Sequence, residues 1–584
     1  MPVSDDDFRV RPGKVRDRGR VSQKQARTLV AQIKMIQKRG GNIGPARRGG
    51  ASRGTSRSGR GRSTALRFGN SALNRRVTVK ARIIQHRSLK FSAAPLARHL
   101  AYLQRDGVTR DGRDAELFDT HGDQADGSGF AERCADDRHH FRFIVSPEDC
   151  GELSDVRAFT RDLVATMEHD LGTRLDWVAV DHWNTDNPHV HLLVRGKGDD
   201  GENLVIDKDY IRSGMRARAA ALVTAELGHR SERDIELSLQ GEVEAERWTS
   251  LDRRLQSIAD NNAGLIDLRT DTFDAQSSFD RQLVGRAMKL ERLGLAERIA
   301  PGRWELTPGL EPTLRDLGQR GDIIKTMHRA MTARGGEPDP GRFAMHTESP
   351  ADPVIGRLVE RGLHDELTGA AYAIVDGADG RVHHLKFGDL EWTGDAPRGA
   401  IVELRSWEGD DGKTRASLVC RSDLPLERQA GAGGATWLDR QLLASEATHA
   451  SSGFGAEIER SLAERAAFLE REGLARRQGS RLIVARNLLD TLRTRELAGA
   501  AEAISARTGL PRHATQEGDS VSGIYRERIT LASGRFAMID DGMGFALVPW
   551  RPALDKHLGE HVMGAVKPGG GIDWSLGRSR GLGI

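Results

Sequence analysis

Two short apolar runs, RLDWVAVDH (174–182) and HVHLLVRG (189–196), constrain this chain more than any other feature. Both are rich in β-branched and aromatic residues and too short to be buried helices. The six residues between them, WNTDNP, supply the Asn, Asp and Pro of a tight connection. Strands joined so closely pair as an antiparallel hairpin, and the chain around them must build a sheet.

The hairpin carries three histidines. His189 and His191 stand two residues apart, so a strand sends both imidazoles to one face. His182 ends the preceding strand, and the turn brings it back beside them. Three neutral imidazoles on adjacent strands form a facial metal site with open positions for water and substrate. A divalent ion there could hold a phosphate and offset its developing charge. The alternative, histidines satisfied in a core, suits a lone histidine better than three at this spacing. Asp181 and Asp186 are candidates to orient an imidazole or act as a base, or are simply turn formers.

The flanking sequence alternates between strand and helix patterns. VTVKARIIQ (77–85) and HFRFIVSPED (140–149) read as strands. AAPLARHLAYLQRD (93–106), LSDVRAFTRDLVATMEHDLG (153–172) and DKDYIRSGMRARAAALVTAELG (207–228) read as helices, the second closed by a glycine suited to a C-cap. This order predicts an α+β fold, an antiparallel sheet with helices on one face.

Charge is segregated. Residues 1–90 hold 24 Lys/Arg against four acids, a net of +20, so the remainder must carry −16 to reach the total of +4. Residues 41–64, GNIGPARRGGASRGTSRSGRGRST, have almost nothing apolar to bury and predict a basic, disordered arm over 1–74 that seeks a polyanion. Residues 21–38 could form a short basic helix within it. No stretch is apolar enough to span a membrane, and the start lacks the apolar core of a secretory signal. Cys134, Cys150 and Cys420 are too scattered for a disulfide framework. These features predict a cytoplasmic protein of several domains.

The second half contains a duplication. Arg286–Ala296 (RAMKLERLGLA) matches Arg465–Ala475 (RAAFLEREGLA), and Thr313-Leu314-Arg315 matches Thr491-Leu492-Arg493 one residue out of step. Each copy reads as a helix, a turn and a hairpin-like segment, an order that resembles a winged helix. β-rich segments follow at 370–388 and 523–550. The predicted organisation is the arm (1–74), a sheet domain (75–235), a winged-helix-like unit (240–345), a β-rich unit (346–430), a second winged-helix-like unit (431–505), and a second β-rich unit with the tail (506–584). The charges on the first candidate recognition helix, Arg286, Lys289, Glu291 and Arg292, are mixed in sign and suit protein or DNA equally.

A phosphate-cleaving centre needs a nucleophile, water or a side chain. The chain has four tyrosines, Tyr102, Tyr210, Tyr372 and Tyr525. Tyr102 lies in HLAYLQRDG, flanked by Arg98 and Arg105, which would favour a phenolate over a phenol of pKa about 10. As an isolated aromatic on a helix, Tyr102 also suits a core. Tyr210, opening the last helix of the sheet domain, suits base stacking or packing.

His182, six residues, then His189-Val190-His191 on a hydrophobic strand resembles the metal motif of conjugative relaxases of the mobilisation type that includes the T-DNA border endonucleases. Tyr102-Leu103-Gln104-Arg105-Asp106-Gly107 resembles the family's tyrosine motif, and Phe143-Ile144-Val145-Ser146 its middle strand. The resemblance covers about 75–230, with the tyrosine ahead of the histidines, the reverse of the usual order in rolling-circle initiators. It implies a relaxase fold of the HUH-nuclease type. It also implies that Tyr102 attacks one phosphodiester of single-stranded DNA at a transfer origin, keeping a 5′-phosphotyrosine link until the strand is rejoined. On this resemblance His182, His189 and His191 would hold Mg²⁺ or Mn²⁺, and Arg98, Arg105 and Arg142 are candidate contacts to DNA phosphates. The implied partners are accessory relaxosome proteins and the coupling protein of a type IV secretion system, and the protein would travel to a recipient cell with its strand. The duplicated half resembles an uncharacterised region that accompanies a subset of these relaxases.

Other classes fit parts of the sequence. A non-enzymatic winged-helix DNA-binding protein would use the repeats and arm, with structural histidines. A water-using metal nuclease would make Tyr102 incidental, and a scaffold for secretion machinery would use the second half alone.

Overall fold

The structure, a computed structural model, describes residues 60–61, 73–86, 94–104, 109–110, 115–183, 187–269, 278–335, 338–346, 348, 350, 352–409, 412, 414–444, 449–479, 481–516, 518–567 and 571–575. Nearly all of the basic arm, the helix expected at 21–38, and Arg105 and Asp186 lie outside them. The chain divides into two compact units, at Gly321 and Asp322. It is a mixed α+β protein with several antiparallel sheets.

The first unit opens with β1 (Val77–Gln85), α1 (Ala94–Leu103), α2 (Gly127–Arg133), β2 (His139–Pro147), α3 (Val156–Leu171), β3 (Leu175–His182) and β4 (His189–Gly198), then a single π-helical turn (Tyr210–Gly214) leading into α4 (Met215–Leu227). The strands form one antiparallel sheet in the order β1-β2-β4-β3. Alternation sorts its side chains into two cores. Phe141, Phe143, Val145, Trp177, Ala179, Val190, Leu192 and Val194 point to the face covered by α3 and α4. Val178, Val180 and Leu193 point the other way. Leu192 is fully buried, and an aliphatic side chain so placed contributes about 2 kcal/mol. The capping of α3 is local: the Asp155 carboxylate accepts from the amides of Arg157 and Ala158, and Gly172 ends the helix at φ 65°.

The expectation of helices on one face holds for α3 and α4 only. Helices α1 and α2 cover β3 and β4 from the opposite side, through Leu96, Leu100, Leu103, Phe130 and Ala131. The polar segment after Tyr102 builds this cover, with Ala115 and Leu117 buried beneath it. Sequence patterning missed it because its apolar residues are few and irregularly spaced. The described end of the basic arm is docked rather than loose. Arg60 bridges Ile206, its amide donates to the Val205 carbonyl, and its guanidinium pairs with Asp200 at 2.6 Å. Gly61, at φ 87°, lies where a Cβ would meet the Tyr210 ring at 2.9 Å.

The rest of the first unit has its own core. Helices α5 (Glu232–Glu244), α6 (Ser250–Asn261) and α7 (Ser278–Arg292) pack on a three-stranded sheet of β5 (Leu265–Asp267), β6 (Ala296–Ala300) and β7 (Arg303–Leu306), in the order β5-β7-β6. Helix α5 contributes Ile235, Leu239 and Val243 to this core. Helix α8 (Leu310–Ala333) follows, with Leu310 and Leu314 buried in the same core.

The second unit holds a six-stranded sheet, β13-β12-β9-β10-β11-β8, built from β8 (Phe343–Met345), β9 (Ile355–Asp365), β10 (Ala370–Gly377), β11 (Val382–Phe387), β12 (Ile401–Glu408) and β13 (Thr414–Ser422). Helices α9 (Leu426–Gln429), α10 (Trp437–Leu443) and α11 (Gly453–Arg471), the hairpin of β14 (Ala475–Gln478) and β15 (Arg481–Val484), and α12 (Leu488–Thr508) come next. A five-stranded sheet closes the unit, β18-β17-β16-β19-β20, from β16 (Ser520–Leu531), β17 (Gly534–Asp540), β18 (Phe545–Pro549), β19 (His561–Val566) and β20 (Ile572–Trp574).

The duplication is visible in one buried pair. Arg286 on α7 grips both oxygens of Asp252 at 2.7 and 2.9 Å, and Arg465 on α11 grips Asp439 at 2.7 and 2.8 Å. All four side chains are fully buried. Each aspartate also closes a capping box, with Thr249 or Thr436, and each arginine donates to carbonyls of the preceding loop. Arg286 is therefore a scaffold residue, not a contact on the surface of a recognition helix.

Candidate metal centre

His182, His189 and His191 meet on the sheet face covered by α1. In the β3–β4 register His182 pairs with His189 and Val180 with His191. Each histidine offers a ring nitrogen, and these atoms all lie within 4.8 Å of one another. The ring centroids are 4.5 to 5.6 Å apart, every pair edge-on. All three are buried, at 0, 8 and 3% exposure.

Backbone carbonyls fix how two of the rings face. His182 Nε2 lies 2.8 Å from the Leu103 carbonyl oxygen, so Nε2 donates and Nδ1 carries the lone pair. His189 Nδ1 lies 2.8 Å from the Asn187 carbonyl, which leaves the Nε2 lone pair facing inward, 3.1 Å from His191 Nε2. Outer nitrogens held by carbonyls, with inner nitrogens converging, suit a divalent cation. Three imidazole nitrogens so placed can hold a metal ion, and they do not by themselves specify which one.

Tyr102 is drawn toward this centre by its neighbour. Its helix delivers the Leu103 carbonyl to His182, so the tyrosine is one residue from a group that touches the cluster. Of the four tyrosines, Tyr210, Tyr372 and Tyr525 are buried at 0, 9 and 1% exposure, and only Tyr102 keeps a half-exposed side chain. Tyr210 is a core residue whose hydroxyl donates to Asp170 at 3.0 Å, and burial pushes its ionisation well above the usual phenol range. That excludes the stacking role considered for it.

Asp181 does not join the histidines. One residue before His182, it points to the opposite face, where it accepts from Arg157 at 3.1 Å and the Trp183 indole at 2.7 Å. The alternation of the strand carries this signal, and reading Asp181 beside the metal overlooked it. Arg98 lies on α1. Sequence reasoning also passed over His99, buried on α1 one turn before Tyr102, although the i, i+3 spacing marks it.

On the middle strand, Ser146 Oγ donates to the Pro188 carbonyl at 3.1 Å and fastens the turn that presents His189. Ile144 pairs with Lys80 on one side and His191 on the other, and Arg82 stands directly across from Arg142. The exposed Lys80 and Arg82, with half-buried Arg142, give the sheet a basic flank next to the histidines. Arg142 Nε donates to His140 Nε2 at 3.1 Å, and His140 Nδ1 bonds His86 at 2.9 Å. Burial, followed by the Arg142 charge, holds His140 well below the usual imidazole range.

The profile of a family described as "protein of unknown function (DUF3363)" matches residues 283–417 and 406–583. The three histidines and Tyr102 lie outside that match. No curated protein and no solved structure matches the chain. Among the described residues, no helix is long and apolar enough to cross a membrane.

Proposed function

The chain belongs to the DUF3363 family, whose description assigns no activity, so its chemistry has to be read from its own side chains, and we propose that it is a conjugative DNA relaxase. The observation that carries this reading is the contact of His182 with the carbonyl of Leu103, which joins the three-histidine cluster to the helix of the only half-exposed tyrosine. A DNA-binding protein without catalysis needs neither feature.

In the proposed reaction the Tyr102 oxygen attacks phosphorus at the nick site. The bond from phosphorus to the 3′ oxygen breaks, and that oxygen leaves with a proton as a free hydroxyl. The 5′ phosphate stays on tyrosine, so the ester energy is conserved and no nucleotide is consumed. Attack by a 3′ hydroxyl on the phosphotyrosine reverses the step and rejoins the strand.

His182, His189 and His191 would hold Mg²⁺ or Mn²⁺, which supplies positive charge to the scissile phosphate. Lys80, Arg82 and Arg142 bind and orient the backbone of the single strand through its phosphates. His99, on the tyrosine's own helix, is the candidate to take the phenolic proton. The handling of DNA by relaxosome proteins, delivery through a type IV coupling protein and travel to a recipient belong to the same reading. The helix–hairpin units would then be winged-helix modules attached to an HUH-type nuclease domain.

Nicking of supercoiled plasmids carrying the DNA beside the gene tests the proposal. Relaxation that requires Mg²⁺ or Mn²⁺ and maps to one strand at one position supports it; failure to nick any of a set tiling that DNA contradicts it.

A further inference from the structure

The two copies of the helix–hairpin unit share a scaffold but differ on one outward face. Besides the buried Arg286–Asp252 and Arg465–Asp439 pairs, both copies tie the first hairpin strand to the helix before it. Arg298 bonds Glu291 at 3.0 Å, and Arg477 bonds Glu470 at 3.1 Å, at equivalent positions. These contacts hold the hairpin in place and leave its other face to vary.

Register identifies that face. In the first copy Glu297 pairs with Glu305, both exposed, so two carboxylates stand directly opposite each other. In the second copy the equivalent pair is Arg476 and Ile483, and Arg481 pairs with Gln478 on the same face. Arg476, Gln478 and Arg481 are exposed, and neither arginine forms an ion pair among the described residues. Their diagonal placement across the hairpin sets the two residues roughly 7–8 Å apart along the backbone. No acid occurs in either strand, and exposed Arg486 follows just beyond β15.

We propose that the β14–β15 hairpin is a nucleic-acid contact, bound through the phosphodiester backbone by Arg476 and Arg481 with Gln478 between them, and that the β6–β7 hairpin is not. A sugar–phosphate chain answers fixed guanidinium groups with a charge at every step, and a glutamine amide can donate to the same oxygens. The acid pair on the first copy repels that ligand. The hairpin binds DNA whether or not the histidine centre cleaves it.

The test uses the full chain, a labelled duplex of arbitrary sequence, the matching single strand, and a potassium chloride series read by fluorescence anisotropy. Arg476→Glu with Arg481→Glu should weaken binding by about tenfold or more and reduce the log–log salt slope by about two. Glu297→Lys with Glu305→Lys should steepen that slope by a similar amount. Loss on the duplex alone, the single strand alone or both supports the contact and tells which form the hairpin reads. Arg476→Gln with Arg481→Gln serves if the reversed pair lowers the thermal midpoint. Unchanged affinity and slope on both DNA forms overturn the proposal, as does loss of polyglutamate binding with DNA binding intact.

Discussion

His182 Nε2 sits 2.8 Å from the backbone carbonyl oxygen of Leu103. One hydrogen bond thus fixes a ring of the three-histidine cluster and the C-terminal end of the tyrosine helix. Because the acceptor is main chain, substitution at Leu103 cannot remove it. Only movement of α1 or loss of the imidazole can.

His182→Gln and His189→Gln should each lower Mn²⁺ affinity by at least about tenfold, since even outer-sphere partners of metal ligands are worth ten- to a hundredfold. Titration calorimetry with Mn²⁺ measures it. Asp181→Asn, whose carboxylate serves Arg157 and Trp183 on the other face, should leave the affinity within about threefold of the parent. Equal losses in all three variants would place Asp181 at the centre after all.

Asp439→Ala would leave Arg465 buried without its carboxylate, and breaking such a pair costs about 3–5 kcal/mol. Asp252→Ala should do the same to the first copy through Arg286. Denaturant unfolding should show a lower midpoint for the unit that carries the change. Arg465→Met with Asp439→Leu should recover much of the loss, because the remaining pocket then holds no uncompensated charge.

His384 predicts a pH dependence. Burial, then the nearby His364 and Lys386, holds its pKa down at about 4, against 6.5 in an unfolded chain. The folded state therefore prefers the neutral ring. Its contribution is complete above pH 6.5 and is lost as pH falls from 6.5 toward 4, by up to roughly 3 kcal/mol. Denaturant unfolding at pH 7 and pH 5 should show His384→Leu losing less stability on acidification than the parent chain. An identical pH dependence in both would contradict the assignment.

The hairpin of β3 and β4 was legible in sequence because everything that makes it is local: two alternating runs, a short polar turn, and histidines at a period of two. The face chosen by Asp181 was legible by the same rule and was misread. The cover over the histidines was not, because Leu100, Leu117 and Phe130 reach one core from three separate segments with no shared period. Nor was the burial of Arg286 and Arg465 legible, since a charged residue in an amphipathic helix reads as surface until its aspartate partner is known. The duplication was visible as sequence, but its meaning emerged only when register separated the tied face of each hairpin from the free one.

The most direct measurement is a covalent one. The full chain is incubated with Mn²⁺ and labelled single-stranded oligonucleotides tiling the DNA beside its gene, then run on a denaturing protein gel. A labelled adduct should form with the parent chain, persist in Tyr372→Phe, and disappear in Tyr102→Phe and when chelator removes the metal. Cleavage that continues in Tyr102→Phe without an adduct would mean that water is the nucleophile and would contradict the role of Tyr102 in strand transfer.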